Sequence, residues 1–310
     1  MKKYISSILF LLAAMIWGFA FSAQKDAGGL PTFSVNATRS IFATVFLLCV
    51  IPLLDRFSKN GRHLISRRGL DFSKTELIGG AICGAILASA SAFQQFGLGE
   101  GTDAGKAAFI TALYVLIVPI LSLLVGRRAP LNVWISVGVA IVGFYLLCIK
   151  DNFTIDFSDC LVLVCALIFA LHIMAIDRFS PRCDGVRMSC VQFLTVFAIS
   201  LVLSLIFEGA PDFSAIGAKL PALLFLGIGS SGIAYTLQIV GQKNGDPTVG
   251  SIIMSLESVF GVIGGAIVFG EVMTPKEYIG CAVVFIAVIL SQIEFKKKNS
   301  HAGDTTNTVK

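Results

Sequence analysis

Ala90-Ser91-Ala92-Phe93-Gln94-Gln95-Phe96-Gly97 and Ala234-Tyr235-Thr236-Leu237-Gln238-Ile239-Val240-Gly241 are one pattern written twice. Residues 90–149 slide by 144 positions onto 234–293 without a gap. Ala90 meets Ala234, Gln94 meets Gln238, Gly97 meets Gly241, Gly101 meets Gly245 and Gly126 meets Gly270. The loop that follows reads Gly126-Arg127-Arg128 in the first copy and Gly270-Glu271-Val272 in the second. Positive charge collects on the cytoplasmic side of membrane proteins. Two arginines facing one glutamate therefore put equivalent loops on opposite sides of a membrane, with one copy upside down relative to the other.

Composition agrees. Of 310 residues, 55% are hydrophobic and 14% charged, with a mean hydropathy of +0.85. Soluble domains carry roughly 25% charged residues, so the partner for this surface is the lipid bilayer. The net charge of +5 does not point to nucleic acid, because the basic residues flank apolar segments instead of forming one face. None of the eight cysteines forms a Cys-x-x-Cys pair, and most fall inside apolar runs, where cysteine behaves as a small apolar residue. No disulfide and no metal site is expected. His63 and His301 lie in polar stretches. No Walker loop is present, so no nucleotide or other cofactor is implied.

A helix needs about 20 apolar residues to cross the hydrocarbon core. Ten segments qualify: roughly 5–24, 33–54, 76–98, 103–125, 131–150, 158–177, 188–208, 218–242, 247–269 and 275–294. Met1-Lys2-Lys3 with its apolar run is read as the start of the first span and not as a cleaved signal. With both termini cytoplasmic, 18 of the 24 basic residues fall inside. The remainder are Lys25, Arg39, Lys106, Lys150, Lys219 and Lys276. The expected fold is therefore an all-α integral membrane protein of ten transmembrane helices, built as two inverted five-helix repeats. Residues 1–150 form the first repeat, 151–295 the second, and 296–310 a disordered cytoplasmic tail. The earlier part of the repeat is fainter: Trp17 and Gly18 align with Phe169 and Ala170, and Ala14 with Ala166. Inverted repeats are a construction used by secondary transporters.

Short motifs carry a family resemblance across about residues 5–294. They are Trp17-Gly18 in the first span, Arg39 early in the second, Pro119 in the fourth and Gly270-Glu271 ending the ninth. Leu256-Glu257 is similar to a Leu-Glu-Pro stretch, with Ser258 in place of the proline, and Gly126-Arg127 replaces a Gly-Glu after span four. In these marks the chain resembles the EamA-type members of the drug/metabolite transporter superfamily. The resemblance implies a five-plus-five inverted-repeat carrier that moves small metabolites, often amino acids, outward. The related small multidrug resistance proteins use an acidic residue in their first span. Residues 5–24 contain none.

Charge inside a membrane is costly, so such residues are functional hypotheses by default. Glu257, near the middle of span nine, can take up and release a proton during a transport cycle. His172 in span six suits a proton relay or a substrate carboxylate. Gln94 and Gln238 are repeat equivalents that approach the axis from opposite sides, and with Tyr235 they can hold a zwitterion; hydrogen-bonded glue between helices is the competing reading. Ser258 adds a polar contact, while Trp17 and Tyr114 wall the cavity. Arg39 has a structural or gating role, shared by Gly261 and Gly265 as a small-residue seam, by Pro119 as a kink and by Glu271 at the end of the ninth span. Gly80 and Gly84 form a second seam, and Gly227, Gly229 and Gly232 loosen span eight.

These readings converge on a secondary transporter of the cell (inner) membrane. It moves a small-molecule substrate by alternating access, with protons as the coupling ion and export as the direction the resemblance implies. A channel or facilitator without coupling is the alternative. An intramembrane enzyme is the third class, and it lacks a Gly-x-Ser-x-Gly motif or a span with two aspartates.

Overall fold

Each apolar run becomes a helix where a polar residue can cap its start. Asp184 accepts from the N–H groups of Val186 and Arg187, Asp246 from those of Thr248 and Val249, and Thr274 forms a reciprocal box with Glu277. The structure is a computed structural model that describes residues 2–57, 70–100, 102, 104–149, 156–270 and 272–293. Glu271 and the tail 296–310 lie outside the described residues.

The first half holds α1 (Lys2–Asp26), α2 (Thr32–Phe57), α3 (Lys74–Gly99), α4 (Ala104–Ala112), α5 (Tyr114–Leu124) and α6 (Leu131–Cys148). The second holds α7 (Phe157–Phe179), α8 (Gly185–Phe207), two short helices α9 (Phe213–Ala218) and α10 (Leu220–Leu224), a π-helical segment (Phe225–Ala234), α11 (Tyr235–Gln242), α12 (Pro247–Met254), α13 (Glu257–Phe269) and α14 (Pro275–Gln292). Among the described residues 8 stretches are long and apolar enough to cross a membrane, and Phe109–Leu124 and Leu131–Leu147 are shorter apolar helices.

Equivalent helices of the two halves pair antiparallel. At one end of the α2–α8 pair, the Phe33 and Ser34 N–H groups donate to Glu208 at 2.6 and 2.8 Å. At the other end, Arg187 in the first turn of α8 reaches Asp55 near the end of α2 at 2.9 Å. The α6–α14 pair does the same: Asn132 donates to Ile293 O at 2.9 Å, and Lys276 donates to Ile149 O. Off-axis contacts also exchange. Gly97 of α3 packs on Val162 of α7, and its repeat partner Gly241 of α11 packs on Phe10 of α1. An axis perpendicular to the helices relates the halves, as the inverted reading requires.

Gly126 and Gly270, the aligned pair that carried the charge argument, both stand at positive φ, +80° and +67°, where their helices end. Only glycine takes that conformation at little cost, so the repeat preserves a terminator as well as a register.

Three expected helices are interrupted. Span four breaks at Leu113 and not at Pro119, which lies inside α5. Span nine breaks at Ser255 and Leu256, with Ser258 standing inside α13. Leu113 has φ/ψ of −61°/−11° and Leu256 of −58°/−12°. At both, tight i→i+3 bonds replace the α ladder: Leu113 N–H to Ile110 O and Leu256 N–H to Ile253 O, each 3.1 Å. In span nine the Ser255 hydroxyl donates to Ile252 O at 2.7 Å and competes with the ladder. Span eight, expected as one helix over 218–242, contains the 10-residue π segment with Gly227, Gly229 and Gly232.

Candidate functional site

Both helix breaks open onto one cavity of about 120 Å³ at the repeat axis. It holds both members of several repeat pairs, among them Trp17 with Phe169, Ser91 with Tyr235, and Gln94 with Gln238. A site built from equivalent residues of inverted halves lies on the axis between them. The cavity extends to Gly28 and Gly29 in the turn between α1 and α2. We call this its mouth; the far end of the molecule carries Arg127, Asp177, Asp184 and Lys243.

Among the described residues, the two charged side chains that line the cavity come from opposite halves. Glu257 is the first residue of α13, and the Tyr114 hydroxyl, on the first residue of α5, donates to its Oε1 at 3.4 Å. Arg39 approaches from α2 and is held at the π segment. Its Nε donates to Ser231 Oγ at 3.0 Å and its Nη2 to Ser230 Oγ at 3.1 Å. Gly227 makes this approach possible, because a Cβ there would stand 2.9 Å from the Arg39 carbonyl and 2.6 Å from Phe42 Cβ. An arginine at mid-helix costs about 2.5–3.5 kcal/mol on insertion scales. Interhelical hydrogen bonds average about 0.6 kcal/mol each. Two serines therefore recover about a third to a half of the cost, so they do not by themselves account for the cation.

Aromatic rings shape the rest. Trp17 meets Tyr235 edge-on with centroids 4.7 Å apart, and its indole N–H donates to Ser230 O at 3.2 Å. Tyr235 also contacts the His172 ring at 5.9 Å and Phe193 at 5.4 Å. Gln94 donates to Thr111 Oγ1 at 3.3 Å. Gln238 is buried, and its Oε1 has no protein partner.

Of the residues picked from sequence, Trp17, Gln94, Tyr114, Tyr235, Gln238, Glu257, His172 and Arg39 line this one cavity. Ser258 is buried and does not line it. Pro119 is buried within α5. Gly261 instead explains the Trp17-Gly18 motif: a Cβ on Gly18 would lie 2.8 Å from Gly261 N and collide with Phe260 Cβ. The α1–α13 crossing continues through Gly264, with Gly265 buried beside it. Gly80 and Gly84 likewise press against Val191 and Thr195 of α8.

Sequence reasoning missed Thr111, Asn36 and Phe169 in the wall and left span two out of it. Phe169 was signalled by its alignment with Trp17. Asn36 was one turn from Arg39 on the same face. The arginine of the Gly126-Arg127-Arg128 loop, read only as a topology mark, pairs with Asp177 at 2.6 Å across the far end.

Comparison with known proteins bears on the same residues. The EamA-like transporter family matches the chain twice, over residues 5–149 and 156–292. An uncharacterized transporter of Archaeoglobus fulgidus is 30% identical over 291 residues, covering 93% of this chain and 86% of that protein. A solved crystal structure superposes with a TM-score of 0.77 at 18% identity, over 94% of this chain and 97% of that one. That likeness speaks to the fold alone.

Proposed function

The chain belongs to the EamA-like transporter family, and from that premise we propose that it is a proton-coupled secondary transporter that exports a small zwitterionic metabolite, amino acids being the fitting class. One observation carries this reading: Arg39 and Glu257, the two charged side chains among the described lining residues, face one small aromatic-walled space on the repeat axis.

In this reading the guanidinium receives the carboxylate of the solute, since two of its donors are spent on serines and no described carboxylate pairs with it. Glu257, Tyr114 and Gln238 receive the ammonium end. A carboxylate that holds the ammonium must release it when it takes up a proton, so solute and proton compete for Glu257. That competition couples one flux to the other without ATP. His172, in the same wall, assists the proton.

Ten spans and cytoplasmic termini in the cell membrane complete the proposal. The α1–α2 turn then lies outside, and the cavity of this structure opens outward. Rocking of the two repeats about the small-residue crossing of Gly18 and Gly261 exposes it to the inside in turn.

The test is uptake of radiolabelled amino acids and small metabolites into proteoliposomes, with and without a pH gradient. Saturable uptake of one zwitterionic class, accelerated by the gradient, is the expected result. Uptake indifferent to the gradient would make the protein a facilitator and return Glu257 and His172 to structural roles.

A further inference from the structure

From the cavity wall toward the far end runs a set of buried polar groups, of which His172 and Gln238 line the present cavity and Gln192 and Gln242 do not. His172 Nε2 meets Gln192 Oε1 at 3.1 Å, and both side chains are buried. On the next residue of α7, the Ile173 carbonyl accepts from Gln242 Nε2 at 3.0 Å. Gln242 sits one turn along α11 from Gln238. Three amide atoms in this group have no protein partner: Gln192 Nε2, Gln238 Oε1 and Gln242 Oε1. The exposures of these glutamines are 0%, 2% and 1%. Buried polar atoms are normally paired, and each one left open costs about 1–3 kcal/mol. Three together, around one buried histidine, indicate a place that polar matter occupies.

Symmetry says what it corresponds to. The two end clamps of the α2–α8 pair fix the register of these helices. Asp55 and Glu208 exchange under it, and so do Ser34 and Arg187, each 153 residues apart. The same shift takes Arg39 to Gln192. Gln192 thus stands toward the far end where Arg39 stands toward the mouth. In an inverted repeat the opposite-facing state is reached when the halves trade conformations, so the side of the cavity shut here opens along α7, α8 and α11.

We propose that Gln192, Gln238 and Gln242, with His172, form a second polar subsite on the far side of the cavity, closed in this structure, that holds a small polar solute in passage. Its chemistry is neutral: one amide N–H donor and two carbonyl acceptors, matching a solute that carries both donors and acceptors. Ordered water is the occupant that fits while the solute is absent. The closure consists of Arg127 on Asp177 and of Lys243 on the Cys183 carbonyl at 2.9 Å. The inference rests on the transport reading above, in that it assigns the exit from the same cavity.

The experiment follows labelling by a charged methanethiosulfonate, read residue by residue by peptide mass spectrometry so that the native cysteines do not interfere. Gln242→Cys and Gln192→Cys are placed in the full chain and compared in membrane vesicles of both orientations, alone and with Asp177→Asn. Both positions are expected to be inert with Asp177 intact. They should be labelled about fivefold faster, from the far-end side only, once Asp177→Asn removes the ion-pair half of the closure; fivefold corresponds to about 1 kcal/mol, the upper end of what an exposed pair usually holds. Asn36→Cys, at the mouth, should be labelled from the opposite side with Asp177 intact. Absence of labelling at both 242 and 192 in every combination, with Asn36→Cys reactive, overturns the proposal. Two glutamine positions are used so that a folding failure in one leaves the other to decide. Labelling as expected in a protein that carries nothing in the uptake assay would leave this subsite standing and sink the transport reading instead.

Discussion

The Tyr114 hydroxyl and the Glu257 carboxylate meet at 3.4 Å, each on the first residue of a half-helix that begins where its span is broken. The two breaks fall within one or two residues of each other in the 144-residue alignment, so the contact ties the halves together near the axis. Glu257→Gln keeps the size and hydrogen bonding but cannot release a proton. It is expected to abolish stimulation of uptake by a pH gradient while leaving exchange of solute measurable. Tyr114→Phe removes a single long hydrogen bond to a carboxylate, at the lower end of about 1.5–3 kcal/mol, so a loss of about tenfold in apparent affinity is expected. Retention of full gradient dependence in Glu257→Gln would remove the coupling role from this residue.

Arg39 is anchored by Ser230 and Ser231 on a π-helical stretch. Arg39→Ala should raise the half-saturation concentration by about 10- to 100-fold, the scale of one charge-assisted hydrogen bond. Arg39→Lys keeps the charge but cannot span both serines, so it should recover part of the loss. The double variant Ser230→Ala/Ser231→Ala frees the guanidinium while sparing the charge. If Arg39 serves only to pin α2 to the π segment, the serine variant and Arg39→Ala will fail equally in a thermal-unfolding assay, and affinity in the surviving fraction will be unchanged.

Much of this arrangement was readable before the fold was known. Gln94 and Gln238 pointed to the axis because they are polar equivalents within apolar spans, and Glu257 stood out because apolar surroundings make a lone acid conspicuous. The charge contrast at Gly126 and Gly270 gave the inversion, and the antiparallel clamps of Asp55 and Glu208 agree with it. The helix breaks were not legible. Leu113 and Leu256 are good helix formers with no proline at either position, and the interruption comes from tight i→i+3 bonds that composition does not encode. Ser251, Ser255 and Ser258 would share one face of an unbroken helix. The break at Ser255 turns α13 relative to α12, and spacing across it no longer predicts a shared face. Arg187 looked like one more positive loop residue, yet it is 1% exposed and paired with Asp55, a partnership more than a hundred residues apart that no local pattern shows.

Gly18 and Gly138 offer a direct comparison of packed and open glycines. A Cβ at Gly18 would lie 2.7 Å from the Phe260 carbonyl carbon and 2.8 Å from Gly261 N, whereas one at Gly138 meets nothing within 4 Å. Gly18→Ala forces α1 away from α13 and should cost about 1–3 kcal/mol, the usual scale of overpacking. Gly138→Ala should be neutral or stabilising by up to about 1 kcal/mol, because alanine restricts the unfolded chain and suits a helix. Thermal unfolding in detergent measures both. Equal melting temperatures for the two variants would mean that the α1–α13 crossing yields easily, and that its close approach sets neither stability nor the pivot.

The clamps at the two ends of the α2–α8 pair are equivalent in place but not in chemistry, and that difference has measurable consequences. At the far end Asp55 faces the guanidinium of Arg187, whose other contacts include the Asp71 carbonyl at 3.0 Å. At the mouth Glu208 accepts from two backbone N–H groups and from the Ser34 hydroxyl at 2.9 Å. Removing the carboxylate beside a buried arginine leaves a charge short of its counter-ion, a change that costs about 3–5 kcal/mol when no other partner remains. Arg187 keeps Asp184 at 3.8 Å and the Asp71 carbonyl, so Asp55→Asn should fall at or below the lower edge of that range. Glu208→Gln can still accept through its amide oxygen, and the freed amides stand near the solvent end of α2, so about 1 kcal/mol is expected. The ordering Asp55→Asn worse than Glu208→Gln is therefore the prediction, read as melting temperature in one detergent. Beyond stability, loosening the mouth clamp should favour states with the mouth open, and loosening the far-end clamp the reverse. Labelling of Asn36→Cys should accordingly speed up with Glu208→Gln and slow down with Asp55→Asn. A shift in the same direction for both would mean that the α2–α8 pair holds the two halves together without taking part in their exchange.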